Sequence, residues 1–257
     1  MVAALLQAGA ARPSVERVSR AKDWYRSARR SLIRATRRPG IGSVRLGDLD
    51  RLTPVSRDYG FDRGTPIDRV YIERFLAAHA GDVRGRVLEV AGNDYTLRYG
   101  GERVTRGDVL HPTEGNPRAT VIADLAKPTP SLEGRYDCII CTQTLQYVYE
   151  VGAAVTQLHL WLKRGGVVLA SVPGIAQVSR EDMEQTGDYW RFTGASVHRM
   201  FANEFGAAAV DVEVHGNVLA ALAFLHGIAA EELDEAAFFD ADPQFHMLMT
   251  VRAVRVD

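Results

Sequence analysis

Four acidic or amide side chains recur near the ends of short apolar runs. Glu89 lies in RVLEVAG, Asp108 closes ERVTRGD, Asp124 closes TVIAD and Gln143 closes YDCIICTQ. Parallel sheets bind ligands at the carboxyl ends of their strands, where loops converge, so residues ending successive strands are read as a group. A carboxylate ending the second strand, Asp108, can hold a ribose diol through two hydrogen bonds. One ending the third, Asp124, can accept a hydrogen bond from an adenine amino group while Leu125 packs on the ring. Singly, each acid is an ordinary solvated strand terminus; together they point to nucleoside binding.

These residues need a sheet to position them. From Gly85 the chain reads as β-rich runs at 86–92, 102–108, 120–124, 136–143 and 166–174. A helix from about Glu150 to Leu162, with Val151, Ala154, Val155, Leu158 and Leu162 on one face, separates the fourth from the fifth. The Lys163-Arg164-Gly165-Gly166 turn stops it. A further helix over 195–204 precedes a sixth strand, AAVDVEVHG, and HMLMTVRAV closes the chain as a seventh. Near-continuous apolar strands with interspersed helices argue for an α/β sheet covered on both faces. Upstream, Pro66 opens a helix with Ile67, Val70, Tyr71, Arg74, Phe75 and Ala78 at helical spacing, and Gly81 ends it.

Composition excludes disorder and a disulfide scaffold: 257 residues, 46% hydrophobic and 25% charged, with two cysteines inside the fourth apolar run. Cys138 and Cys141 read as small core residues, which fits a reducing, cytoplasmic setting. The net charge of −1 is uneven. Residues 1–40 hold ten Arg/Lys against Glu16 and Asp23, a local +8 that leaves −9 on the remainder. This basic arm reads as one or two helices between about Ser14 and Arg38. A solvated helix packed on its own domain is the plainer reading; peripheral contact with an anionic surface is the functional one. The acidic remainder argues against a broad nucleic-acid footprint. No run approaches the roughly 20 apolar residues of a membrane span, and the opening residues lack the pattern of a secretory signal.

The order of these blocks resembles the Rossmann-like (class I) S-adenosylmethionine-dependent methyltransferases. The resemblance rests on VLEVAG, on Asp108, on Ala123-Asp124-Leu125, and above all on YDCIICTQTLQYVYE followed by a helix and LKRGGVVLASVPG. GDYWRFT (Gly187 to Thr193) and the lead-in stretch GTPIDRVYIERFL resemble segments of members associated with glycosyltransferases. The resemblance covers about residues 67–256. It implies a mostly parallel seven-stranded sheet with an antiparallel last strand, and S-adenosylmethionine as cofactor, held by Glu89, Gly92, Asp108, Asp124, Leu125 and Gln143. Residues 1–66 are then an arm and loop, and 67–257 the methyltransferase-like domain. Two departures stand out. The positions of the family's alternate glycines hold Ala91, Asn93 and Tyr95, and the connections after strands one and two are too short for full helices.

In this family the connection between the last two strands reaches the active edge of the sheet. Here it is long, about 216–245, and contains NVLAALAFLHGIAAEEL, expected to cover an acceptor pocket. Methyl transfer to a hydroxyl calls for a base of near-neutral pKa. His226 in that covering helix is the first candidate, with His215 and Asp188 in reserve; a packed helix histidine is the competing reading. Tyr189, Trp190 and Arg191 are candidates for holding the acceptor: a sugar, glycan or small natural product. No spacing defines a metal site. The alternative to an enzyme is a catalytically inactive binding or scaffold protein on the same fold.

Overall fold

The computed structural model describes residues 24–32, 36, 39–40 and 42–256. The chain divides into two compact units, Met1–Leu52 and Thr53–Asp257. In the first, residues 24–32 and 36 are helical and a 3-10 turn spans Gly47–Leu49; the other residues of the arm expected between Ser14 and Arg38 lie outside the described residues. No described helix is long and apolar enough to cross a membrane.

The second unit holds one seven-stranded sheet: β1 (Gly85–Val90), β2 (Val104–His111), β3 (Val121–Ile122), β4 (Tyr136–Thr142), β5 (Leu162–Pro173), β6 (Val210–His215) and β7 (Leu248–Val254). Their order is β3-β2-β1-β4-β5-β7-β6. Strands β1 to β5 pair in parallel, and β7 runs antiparallel to both β5 and β6. This is the Rossmann-like α/β architecture with an antiparallel last strand.

Helices cover both faces because the central strands are apolar on both. Residues 138–141 of β4 are all buried. Leu88, Ile139 and Val168 pack with α2 (Val151–Trp161) and α4 (Gly194–Phe205) on one face. Val87, Ile140 and Leu169 pack with α1 (Ile67–Ala78) and α5 (Val218–His226) on the other. A short helix, α3 (Arg180–Gln185), follows β5. Cys138 and Cys141 are buried free thiols, and burial pushes Cys141 up to about 12, so neither is a ready nucleophile.

Local signals explain the ends. Thr193 caps α4, its hydroxyl accepting from the Ser196 N–H. Asn217 caps α5 through the Ala220 N–H at 2.9 Å, and Gly227 ends it at φ 64°. A Cβ on Gly227 would also stand 2.4 Å from the Ser56 carbonyl oxygen, so glycine serves both the turn and the close approach of residues 53–66.

Several expectations need correction. The buried stripe of α1 is Ile67, Asp68, Tyr71, Ile72, Phe75 and Leu76, whereas Arg74 and Ala78 face solvent. The stripe follows the flank that meets the sheet, rotated from the one expected. β2 does not stop at Asp108: Val109 and Leu110 are buried, so the strand continues to His111. β3 is two residues long, and the Lys163–Gly166 turn is a bulged start to β5. Between β1 and β2 there is only a π-turn over Thr96–Gly100 and a 3-10 turn, and between β2 and β3 no helix, as the short connections predict.

Candidate active site

A cavity of about 260 Å³ opens at the carboxyl ends of β4 and β5. Its floor is Gln143, just past β4, and Pro173, the last residue of β5. Gln143 sits at φ 47° and its N–H donates to the Ser171 carbonyl at 3.0 Å, which turns its side chain toward Gln146. Gln146 Nε2 donates to Gln143 Oε1 at 3.1 Å. One wall is the first turn of α1, with Asp68 and Arg69; another is Phe224 of α5. Residues 53–66 supply Asp58, Tyr59 and Phe61. Val55 and Ser56 N–H groups donate to the His226 carbonyl, and Thr65 is bound through Glu231, so this segment is tied to the α5 region.

The lining carries five carboxylates, Asp58, Asp68, Glu181, Asp182 and Asp188, against Arg69 and Arg191. Arg191 is already committed: it donates to Asp188 at 2.6 and 2.8 Å and to the Ala176 carbonyl at 3.2 Å. The cavity is therefore electronegative and suited to a cationic ligand. Asp68 is buried, and that burial raises its carboxyl above the usual range despite the charge of Arg69 and N–H donors from Arg69 and Asp68 itself. Arg69 is held by Tyr95 Oη at 3.2 Å. A carboxyl raised by burial and lining a cavity is the kind of group found at functional sites.

The expected cofactor residues separate into two groups. Asp124 lies just beyond β3, half-exposed; its Oδ1 accepts from the Ala126 N–H at 2.9 Å and Lys127 pairs with Oδ2 at 3.0 Å. The Ala126 N–H, with Lys127, holds this carboxylate low. Gln143 faces the cavity. Leu125 is buried in the core, so its side chain serves packing. Glu89 is buried and accepts from Tyr95 N–H, Thr96 N–H and Thr96 Oγ1 at 3.2, 2.7 and 2.6 Å. It fastens the loop after β1. Gly92 has open space around a notional Cβ, with Asp94 nearest at 3.6 Å, and the left-handed residue of the loop is its neighbour Ala91 at φ 68°.

Asp108 is the principal correction. It sits three residues before the end of β2, with a side chain 1% exposed. Arg86 donates to its Oδ2 through Nε and Nη2 at 2.9 and 2.6 Å, and Arg106 reaches Oδ1 at 3.1 Å. Burial alone would raise this carboxyl; the two arginines outweigh it and hold it low. Its hydrogen-bonding capacity is spent on the protein, so it does not stand at the strand end to hold a ribose. The apolar pair Val109-Leu110 hid the true end of the strand.

On the acceptor side, Asp188 lines the cavity as an ionised brace: Arg191 and the Ser179 N–H, at 2.9 Å, hold it low against the effect of burial. Tyr189 and Trp190 are exposed beside the cavity. Trp190 Nε1 donates to the Val148 and Tyr149 carbonyls, and Tyr149 stacks on its ring at 5.9 Å. His226 lies outside the cavity lining, and its Nδ1 is buried without a hydrogen-bond partner. His215 ends β6 in a different cavity, bonded to Thr250 Oγ1 at 2.8 Å. Asp68 had a signal in the sequence: it stands at i, i+3, i+4 and i+7 with Tyr71, Ile72 and Phe75, on the buried flank of α1.

No protein-family model matches the chain, and no curated protein matches it. Solved structures do. An S-adenosylmethionine-dependent methyltransferase from Archaeoglobus fulgidus is 11% identical, with TM-score 0.47, over 72% of this chain and 92% of that one. A 1,6-didemethyltoxoflavin-N1-methyltransferase from Burkholderia thailandensis, with S-adenosylhomocysteine bound, is 16% identical, with TM-score 0.44, over 73% and 77%. The cyclase SpnF is 14% identical, with TM-score 0.46, over 75% and 84%.

Proposed function

We propose that the protein is an S-adenosylmethionine-dependent O-methyltransferase acting on a hydroxyl of a sugar, glycan or small natural product. One observation carries the reading: an electronegative cavity at the carboxyl ends of β4 and β5, in a sheet ordered β3-β2-β1-β4-β5-β7-β6. The donor set fits a sulfonium cofactor in part. Asp124 would accept from the adenine amino group, and the acidic lining suits a sulfonium and an ammonium. Asp108 does not fit, and the ribose contact would pass to the corner after β2, where His111 ends the strand and Glu114 is exposed. When bound, the cofactor supplies an electrophilic methyl group.

Asp68 would accept the proton of the acceptor hydroxyl, the role first expected of His226. Phe224 and residues 53–66 would limit water around it. The exposed Tyr149–Trp190 stack, with Tyr189 beside it at 5.3 Å from Tyr149, offers a face for a sugar ring, in line with the resemblance of GDYWRFT to glycosyltransferase-associated members.

Calorimetric titration with S-adenosylhomocysteine tests the reading. Binding is expected, and Asp124→Ala is expected to weaken it by about 1–2 kcal/mol. No heat with ligand up to about 1 mM would overturn the assignment. A second reading, an inactive binding protein on this fold, is favoured by the spent Asp108 and the left-handed Ala91. Binding without turnover on any hydroxyl acceptor would support it.

A further inference from the structure

A second cavity, of about 280 Å³, lies between α1, the end of β6 and the helical turn Ala236–Phe239. It shares no lining residue with the cavity at β4 and β5. Its rings are fixed. Tyr71 stacks on His215 at 5.2 Å with 29° between planes, and Tyr71 Oη donates to the Phe238 carbonyl at 2.8 Å. His215 Nε2 is held by Thr250 Oγ1. Phe239 meets Tyr71 edge-on at 6.4 Å, and the Arg74 guanidinium lies over the Phe239 ring at 3.9 Å. Among the described residues Arg74 has no ion-pair partner, although it is exposed at the cavity rim. Glu213, the lining carboxylate, has a side chain 70% exposed and approaches His215 Nδ1 at 3.8 Å.

We propose that this cavity binds a small planar aromatic carboxylate, its ring against the edges of the stacked Tyr71–His215 pair and its carboxylate on Arg74. The Arg74 guanidinium lies over the Phe239 ring without an ion-pair partner among the described residues, and its N–H fork matches a carboxylate with two parallel hydrogen bonds. The fixed ring edges of the Tyr71–His215 pair favour edge-on contact with the face of a planar ligand. His79, packed edge-on against Phe75 at 4.8 Å, adds a second nitrogen base to the lining. The site makes no use of S-adenosylmethionine, so its test is independent of the methyl-transfer reading.

The test is ligand-observed NMR and calorimetry on the full chain with benzoate, benzamide and cyclohexanecarboxylate as probes. Benzoate is expected to bind more tightly than either analogue, because benzamide lacks the charge and cyclohexanecarboxylate the planar ring. Arg74→Gln, an exposed position, is expected to weaken benzoate by about ten- to hundredfold. The proposal is overturned if benzoate shows no binding up to about 10 mM. It is equally overturned if benzamide or cyclohexanecarboxylate matches benzoate on the unaltered protein, a comparison that needs no variant to fold. Unchanged benzoate affinity in a folded Arg74→Gln protein would also sink it.

Discussion

The acids within β1 and β2 and the acids gathered over the ends of β4 and β5 are treated in opposite ways. Within β1 and β2, Glu89 and Asp108 are buried and bound by the protein itself, one to the loop at Tyr95 and Thr96, the other to Arg86 and Arg106. Over β4 and β5, five carboxylates line a cavity and Asp188 alone is gripped by an arginine on two oxygens. An acid's place along a strand therefore says less about its task than the face it occupies and the cations within reach. In the first group the acids hold the scaffold; in the second they set the electrostatics of a binding space.

The sharpest way to break this contrast is Asp108→Ala. Removing one member of a buried pair leaves Arg86 without its partner, and a loss of about 3–5 kcal/mol is expected in chemical denaturation. Unchanged stability with lost S-adenosylhomocysteine affinity would return Asp108 to the ribose. The acid response follows from the same pair. The folded carboxyl is held low, so its stabilisation is complete above the unfolded value of about 3.9 and is lost as pH falls through the folded value. Asp108→Asn should flatten stability against pH below about 4.

In the other group, Asp68→Asn is expected to lower turnover by about a hundredfold or more while leaving cofactor affinity nearly constant. Its stability should hold or rise at neutral pH: the folded carboxyl is raised, so ionising it costs the native state there. Full turnover in a folded Asp68→Asn protein would remove it as the base. The smallest effect is expected at Ala91→Gly. The variant relieves a left-handed residue other than glycine and should raise stability by about 1 kcal/mol in thermal melts. A loss of stability instead would show that this loop is held by contacts of the Ala91 side chain.

Much of the architecture was legible in the sequence, because the short apolar-rich runs VLEVAG, CIIC and VVLASV of β1, β4 and β5 leave few alternatives to a covered sheet. The missing helices after β1 and β2 followed from chain length alone. What failed was orientation. Asp108 looked terminal because it closes the run ERVTRGD, yet Val109 and Leu110 find buried places and prolong the strand. The α1 stripe was rotated because Val70 and Ala78 suit a core as well as Ile72 and Leu76 do, and only packing decides between them. That rotation concealed Asp68 and left the covering-helix His226 as the first choice for a base.

Residues 53–66 have a practical bearing on how this unit can be dissected. Arg63 and Thr65 clasp Glu232 and Glu231, and Gly227 lies against Ser56. A fragment starting at Ile67 would keep every strand yet lose Asp58, Tyr59 and Phe61, removing one wall of the cavity. A fragment starting at Thr53 would keep that wall, so the two fragments would share a circular dichroism spectrum and differ in what they retain.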